Sequence, residues 1–341
     1  MKIAVDAMGG DHGVAPIVEG SLLALRERDA ELILVGVESQ IKEQLSQFHC
    51  SDPRIRVLHA SQTVGMHESP AQVARKKRDS SIWIATGLVK SGEADAVVSA
   101  GNTGATMVSA FFQLGTIKGV ERPAIAATLP TLKGTAVMLD VGATVDCTAK
   151  HLYQFGIMGH EYGQHLLKID HPRVGLMSIG EEDSKGNETT KEAFRLLRES
   201  SLNFIGNLEG RDVYSGTADV IVCDGFLGNV SLKISEGLAD AMKKMLMREV
   251  MGSMFGRLSL AFLGGPLMRL RRRTDYAEFG GAPLLGVNGI SMICHGRSSA
   301  KAIKNAILRA HALVDERLIQ AIREDIAEGL TKPETPSPQM A

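Results

Sequence analysis

Short runs of β-branched and aliphatic residues recur along the chain, each followed by a stretch in which apolar positions repeat at helical spacing. Lys2 to Val5, Leu32 to Val35, Ile55 to Leu58, Ala96 to Val98 and Thr135 to Leu139 read as strands, since unbroken apolar runs bounded by turn formers suit strands buried on both faces. Helical spacing begins near Pro16, at Ser69-Pro70 and after Asn102; proline suits a first helical turn and asparagine a cap. The alternation continues through Arg173 to Ile179, Val220 to Val222 and Ile290 to Cys294, with helices after Asn187, after Asn229 and from Ser298 to about Ile326. This pattern predicts an α/β fold: one parallel sheet, right-handed crossovers, helices on both faces, and a single unit over residues 1–330. Two stretches break it. Residues 251–273, MGSMFGRLSLAFLGGPLMRLRRR, mix glycine, proline and large apolar side chains and end in Arg269, Arg271, Arg272 and Arg273. They are expected to protrude as an amphipathic helical segment. Residues 331–341 hold Pro333, Pro336 and Pro338 with little to bury, and disorder is expected there.

Composition narrows the function. Apolar residues make up 44% of the 341 and charged residues 23%, an ordinary globular balance. Lys plus Arg, 38, nearly cancels Asp plus Glu, 39, so a nucleic-acid partner is not expected. Aromatics are only 4% while glycine reaches 36, which suits tight turns around small ligands better than base-stacking platforms. Cys50, Cys147, Cys223 and Cys294 form no C-x-x-C motif and read as reduced thiols. Asp6 interrupts the apolar start before a signal peptide can form, giving a cytoplasmic expectation. Residues 96–117 lack charge but carry Ser99, Asn102, Thr103, Thr106, Ser109 and Gln113, so a buried strand, loop and helix are expected rather than a membrane span.

Candidate chemistry sits in the turns that follow strands, where parallel sheets bind ligands. The first strand runs into Asp6-Ala7-Met8-Gly9-Gly10-Asp11-His12-Gly13 and the fourth into Ser99-Ala100-Gly101-Asn102-Thr103-Gly104. Others are Asp140-Val141-Gly142-Ala143-Thr144, Gly180-Glu181-Glu182-Asp183-Ser184-Lys185-Gly186-Asn187 and Cys223-Asp224-Gly225-Phe226-Leu227-Gly228-Asn229. Small residues let backbone amides converge on an anion, with a helix N-terminus behind them; equally, such glycines serve tight βα turns with no ligand. Five polar turns at one edge of a sheet would form a continuous cleft. No Gly-Lys dipeptide, G-x-G-x-x-G after the first strand or G-x-S-x-G occurs, which removes the usual ATP, NAD and serine-hydrolase fingerprints. His160-Glu161 and His165 are spaced five residues apart, off the i, i+4 pairing of a zinc helix.

Taken together, Asp6-Ala-Met-Gly-Gly-Asp, Glu68-Ser-Pro, Ala74-Arg-Lys-Lys, Ser99-Ala-Gly-Asn-Thr-Gly, Glu121-Arg-Pro-Ala, Gly180-Glu-Glu, Lys185-Gly, Cys223-Asp-Gly-Phe and His295-Gly resemble, in order and spacing, the bacterial acyl-ACP:phosphate acyltransferases of phospholipid synthesis. The chain departs from that pattern at Thr144 and Ser178, where the family usually has asparagine. The resemblance implies a Rossmann-like parallel-sheet sandwich similar to phosphotransacetylases and the isocitrate dehydrogenase class. It implies transfer of a fatty acyl group from acyl carrier protein to inorganic phosphate, giving acyl phosphate for a membrane glycerol-3-phosphate acyltransferase. It also implies a homodimer.

Such a reaction needs no metal and no cofactor: phosphate is already an anion and a thiolate leaves readily. Positioning and charge stabilisation dominate. On this reading Gly101, Asn102, Thr103 and Gly104 cradle phosphate, Lys185 neutralises it, Asn229 serves the developing oxyanion, and His12 or His295 protonates or orients the sulfur. Asp6, Gly9, Gly10, Asp140, Thr144 and Glu182 are expected in substrate binding and Asp224 in catalysis, although loop capping is an equal use for the three aspartates. Arg75, Lys76, Lys77 and Arg78 are a landing patch for the acidic carrier, or an ordinary solvated face. Residues 251–273 are expected to touch the membrane peripherally; a dimer contact or an acyl-chain groove are the alternatives. The rival readings are a dehydrogenase, kinase or phosphotransacetylase-like enzyme on a related sheet, and a membrane-surface scaffold of lipid synthesis.

Overall fold

The computed structural model describes residues 1–252, 265, 268–269 and 275–331. Its first half alternates β1 (Lys2–Asp6), α1 (Ala15–Glu27), β2 (Glu31–Gly36), α2 (Glu38–Gln47) and β3 (Ile55–His59), then α3 (Pro70–Lys76), α4 (Ser81–Ser91), β4 (Ala96–Ser99) and α5 (Thr103–Leu114). A hairpin, β5 (Ala124–Thr131) and β6 (Gly134–Leu139), leads into α6 (Ala149–His165), β7 (Val174–Met177), α7 (Glu188–Arg198), β8 (Phe204–Leu208), β9 (Val220–Val222) and α8 (Gly225–Met251). The chain closes with α9 (Tyr276–Phe279), β10 (Ala282–Leu285), β11 (Ile290–Ile293), α10 (Ala300–Asp315) and α11 (Leu318–Thr331).

The strands form one sheet in the order β3-β2-β1-β4-β11-β10-β5-β6-β9-β7-β8. Alternate residues of each strand enter different cores, which is why the runs are apolar throughout. Ile3 and Val5 lie in the cluster that includes Ile17 of α1 and Ile303 of α10, whereas Ala4 and Val97 pack with Ile82, Ala85 and Leu88 of α4.

The sheet is not wholly parallel. β11 meets β10, β10 meets β5 and β5 meets β6 in three antiparallel steps, while β3, β2, β1, β4 and β11 are mutually parallel, as are β6, β9, β7 and β8. Two parallel blocks therefore run in opposite directions. β10 joins them by halves: Ala282 and Pro283 pair with Ile293 and Met292, and Leu284 and Leu285 pair with Ile125 and Ala124. The carboxyl ends of the two blocks reach this junction from opposite sides.

Helix α8 begins at Gly225, not after Asn229, because Asp224 Oδ1 accepts the Leu227 N–H at 2.8 Å and caps it early. The helix expected from Ser298 to Ile326 is two, broken where Arg317 takes φ +53°. α8 carries an exposed apolar stripe, Ile234, Leu238, Met242 and Met245. Among the described residues no helix is long and apolar enough to cross a membrane. Of the protruding segment expected at 251–273, residues 253–264, 266–267 and 270–273 lie outside the described residues, as does the tail beyond Thr331.

Candidate functional site

The opposed blocks correct the expectation of five turns along one edge. The turns after β1, β4 and β11 leave one edge and those after β6, β7 and β9 the other, so the candidate residues fall into two groups.

In the first group, β1 delivers Asp6 into the interior with 3% of its surface exposed. Ser99 Oγ, at the end of neighbouring β4, donates to Asp6 Oδ2 at 2.7 Å and accepts the Gly101 N–H at 3.0 Å; Met8 N–H reaches Oδ1 at 3.2 Å. Burial pushes the Asp6 carboxyl above its ordinary value, against hydrogen bonds from Ser81, Ser99, Met8 and Gly9. The chain can pass this tightly only as glycine: a Cβ on Gly9 would stand 2.5 Å from the Gly101 nitrogen. Gly10 takes φ +101°, and the next residue, Asp11, donates its N–H to Gly296 O at 2.7 Å, joining the turn after β11 to that after β1. His12 and His295 are exposed on these same two turns, with His295 Nδ1 accepting the Arg297 N–H at 3.1 Å.

Asn102 is fully committed. Its Oδ1 caps α5 by accepting the Ala105 N–H at 3.0 Å, and its Nδ2 donates to Met66 O at 2.8 Å and Glu68 O at 3.1 Å. The amide that sequence reasoning aimed at phosphate instead ties the 65–68 loop to the helix start. Just beyond it, the N–H groups of Thr103 and Gly104 meet no acceptor among the described residues, and both belong to the unsatisfied first turn of a helix. Gly104 lies flat under Pro70, whose ring would collide with any Cβ there. Lys77 leaves the expected basic patch: its Nζ pairs with Glu68 Oε1 at 2.6 Å and donates to Thr63 O at 2.7 Å, holding the Glu68 carboxyl below its ordinary range.

In the second group Asp140 is wholly buried. Its carboxylate takes N–H donors from Ile125 at 2.7 Å, Gly142 at 3.2 Å, Ala143 at 2.9 Å and Thr144 at 2.6 Å. These amides oppose the rise that burial imposes on it. Thr144 O accepts the Gly225 N–H at 2.8 Å, and Gly228 presses so closely on Asp140 O that no side chain fits. The turn after β6 and the start of α8 are thereby fused, and Asn229 is set with Nδ2 3.1 Å from where a Gly142 Cβ would be. Cys223 Sγ faces Asp140 O at 3.4 Å, and burial pushes its thiol well up, which suits a core thiol and not a nucleophile.

The turn after β7 holds Glu182 and Lys185, both exposed. Asn207, on β8, was not foreseen; its Nδ2 holds Glu182 O at 2.9 Å. Ser178 Oγ, at the end of β7, is buried with no hydrogen-bond partner among the described residues. Ser99 and Ser178, each a polar residue closing an apolar strand, are the signal that could have located both positions. Lys185 has no ion-pair partner among the described residues, and neither do Arg75, Lys76 or Lys90.

Comparison with known proteins matches this architecture. The family model described as "Fatty acid synthesis protein" covers residues 1–321. A phosphate acyltransferase of Trichlorobacter lovleyi is 53% identical over 96% of this chain and 95% of its own, and one of Pelobacter propionicus is 51% identical over 97% of each. Among solved structures, a phosphotransacetylase from Streptococcus pyogenes superposes with a TM-score of 0.64 at 19% identity, covering 93% of this chain and 94% of its own, a likeness of fold. The chain belongs to the fatty acid synthesis protein family, alongside these phosphate acyltransferases.

Proposed function

We propose that the chain transfers a fatty acyl group from an acyl carrier protein thioester to inorganic phosphate, forming an acyl phosphate for a membrane glycerol-3-phosphate acyltransferase. The observation that carries this reading is the start of α5: two N–H groups, at Thr103 and Gly104, with no acceptor among the described residues, beside a floor of Gly9, Gly10 and Gly101. A helix N-terminus with open donors favours a phosphate-sized anion.

A phosphate oxygen held there attacks the thioester carbonyl carbon. The carbonyl electron pair moves to oxygen, and collapse of the tetrahedral intermediate expels the thiolate. For the reaction the second group of turns must meet the first on a substrate that spans the junction of the two blocks: Lys185 then offsets phosphate charge, Asn229 Nδ2 donates to the oxyanion, and His12 or His295 delivers a proton to the sulfur. Asp140 and Asp224 keep the Asn229 turn rigid, which spares reorganisation during the reaction. No metal or cofactor enters these steps. The α8 stripe supports a homodimer, and a greasy, labile product supports peripheral membrane association through residues 251–273.

The test is hydroxylamine trapping of acyl phosphate formed from acyl carrier protein thioester and phosphate. Lys185→Ala and Asn229→Ala are each expected to lower kcat by about 10²–10³-fold, the usual loss for one charge-stabilising donor. Failure of the wild type to form a trappable product overturns the reading.

A further inference from the structure

A trough of about 900 Å³ lies between α3, α4 and α5, within the range of ~300–1,000 Å³ common to small-molecule sites. Its apolar lining is Pro70, Ala74, Trp83, Val108 and Phe112, and its basic lining is Arg75, Arg78 and Lys90. Several observations give it a direction and an occupant. Pro70, at its near end, is the residue packed on Gly104, so the trough starts at the open helix turn described above. Gly104, Val108 and Phe112 follow at i, i+4 and i+8 along one face of α5, carrying the apolar wall roughly 12 Å from that turn at the rise of an α-helix. Phe112 is 65% exposed, in a chain with only 4% aromatics. The walls are braced: Gln113 Nε2 on α5 donates to Trp83 O on α4 at 2.8 Å, and the Arg78 guanidinium stands 6.0 Å from the Trp83 ring. Arg75 and Lys90 have no carboxylate partner among the described residues.

We infer that this trough holds the alkyl chain of the acyl donor, laid along Pro70, Val108 and Phe112 with its thioester end at the start of α5 and its anionic tether among Arg75, Arg78 and Lys90. The assignment rests on the acyl-transfer reading for the donor's identity. An alkyl chain fits an apolar channel that begins beside the proposed phosphate cradle, and unpaired cations at its margin fit the charge that a carrier-bound acyl group must bring.

Trp83 is the only tryptophan of the chain, so its emission reports on the trough directly. Titration of the full chain with dodecyl phosphate, below its micelle threshold, is expected to shift that emission to the blue saturably, and butyl phosphate is expected not to. Phe112→Glu, at an exposed position, is expected to fold as the wild type, to weaken dodecyl phosphate binding at least about tenfold and to raise KM for a dodecanoyl donor by a similar factor, with a butanoyl donor unaffected. No saturable shift in the wild type, or an equal shift in Phe112→Glu, overturns the assignment. So does a shift that follows protein concentration instead of ligand, which makes the face a contact between copies. If the wild type forms acyl phosphate and Phe112→Glu handles both chain lengths equally well, the trough assignment falls while the transfer reading stands. If the wild type forms none, the transfer reading falls and the dodecyl phosphate titration still decides whether the trough takes an alkyl chain.

Discussion

Asp6 and Asp140 occupy corresponding places in the two blocks, each at the carboxyl end of a strand and each withdrawn from water, yet they are satisfied by different means. Asp140 is held by four backbone N–H groups, donors that no rotation can withdraw. Asp6 relies on the Ser81 and Ser99 hydroxyls together with the amides of Met8 and Gly9, and a hydroxyl can turn from donor to acceptor. The helices that follow differ in the same way. Each helix has its third N–H capped by the preceding side chain, Leu227 by Asp224 Oδ1 and Ala105 by Asn102 Oδ1, but at α8 Thr144 O also takes the Gly225 N–H, whereas at α5 both Thr103 and Gly104 N–H groups meet no acceptor among the described residues. A turn whose donors are consumed is a scaffold; one whose donors remain can bind.

The strongest attempt to break this contrast is Asp140→Ala, which strands the buried Ile125 amide together with the part-buried amides of Gly142, Ala143 and Thr144. It should destabilise the protein by at least ~3 kcal/mol, since each buried group left without a partner costs about 1–3 kcal/mol. Urea unfolding measures it, and a loss below 1 kcal/mol would remove the contrast. Asp6→Asn should cost less, about 1–2 kcal/mol, because its two serines can reorient to the new amide; equal losses for the two variants in the same unfolding series would show the hydroxyls to be as fixed as the backbone.

Glu161 extends the comparison at the smallest scale. It is buried on α6, and burial, with the Asp325 carboxyl sharing its hydrogen bond, pushes it up to about 8; His165 Nε2 stands 3.4 Å away. A carboxyl whose folded value lies above its unfolded one favours folding at low pH, and that contribution is lost as pH rises through the folded value. The Glu161 contribution to stability should therefore decline between about pH 4.5 and pH 8. Glu161→Gln should match the wild type near pH 5 and exceed it at pH 8.5. Parallel urea midpoints for the two proteins across that range would refute the assignment.

Much of the fold was legible where spacing was regular. β1, β2 and β4 begin and end within a residue or two of their expected limits and α5 begins where expected, since their runs are apolar and their flanks carry Asp6, Gly36 and Asn102. α4 was missed because Ile82, Trp83, Ile84, Ala85, Leu88 and Val89 leave it no clear polar stripe. β5 and β10 were missed because Pro130 and Pro283 stand inside them; proline usually argues against a strand that must donate to its neighbours. Those two strands reverse the sheet, so the grouping of the turns could not be read either. The letters of Asp6, Asp140 and Asn102 marked turns that do follow strands. Which donors each would consume depended on neighbours remote in sequence, such as Ser99, Ile125 and the 65–68 carbonyls.

The half-and-half pairing of β10 bears on how the protein is made. β4 has β1 on one side, but its other edge is filled by β11, with Ala96 against Ile290, so on the ribosome the N-terminal block waits for nearly the whole chain before its sheet closes. Until then β4 presents bare N–H and C=O groups, the kind of edge that recruits foreign strands. Contacts this distant in sequence form slowly, and the second block, contiguous from β6 to α8, has every local pairing it needs before them. Biogenesis should accordingly run outward from the middle of the polypeptide, with the N-terminal sheet completed last by residues from the opposite end.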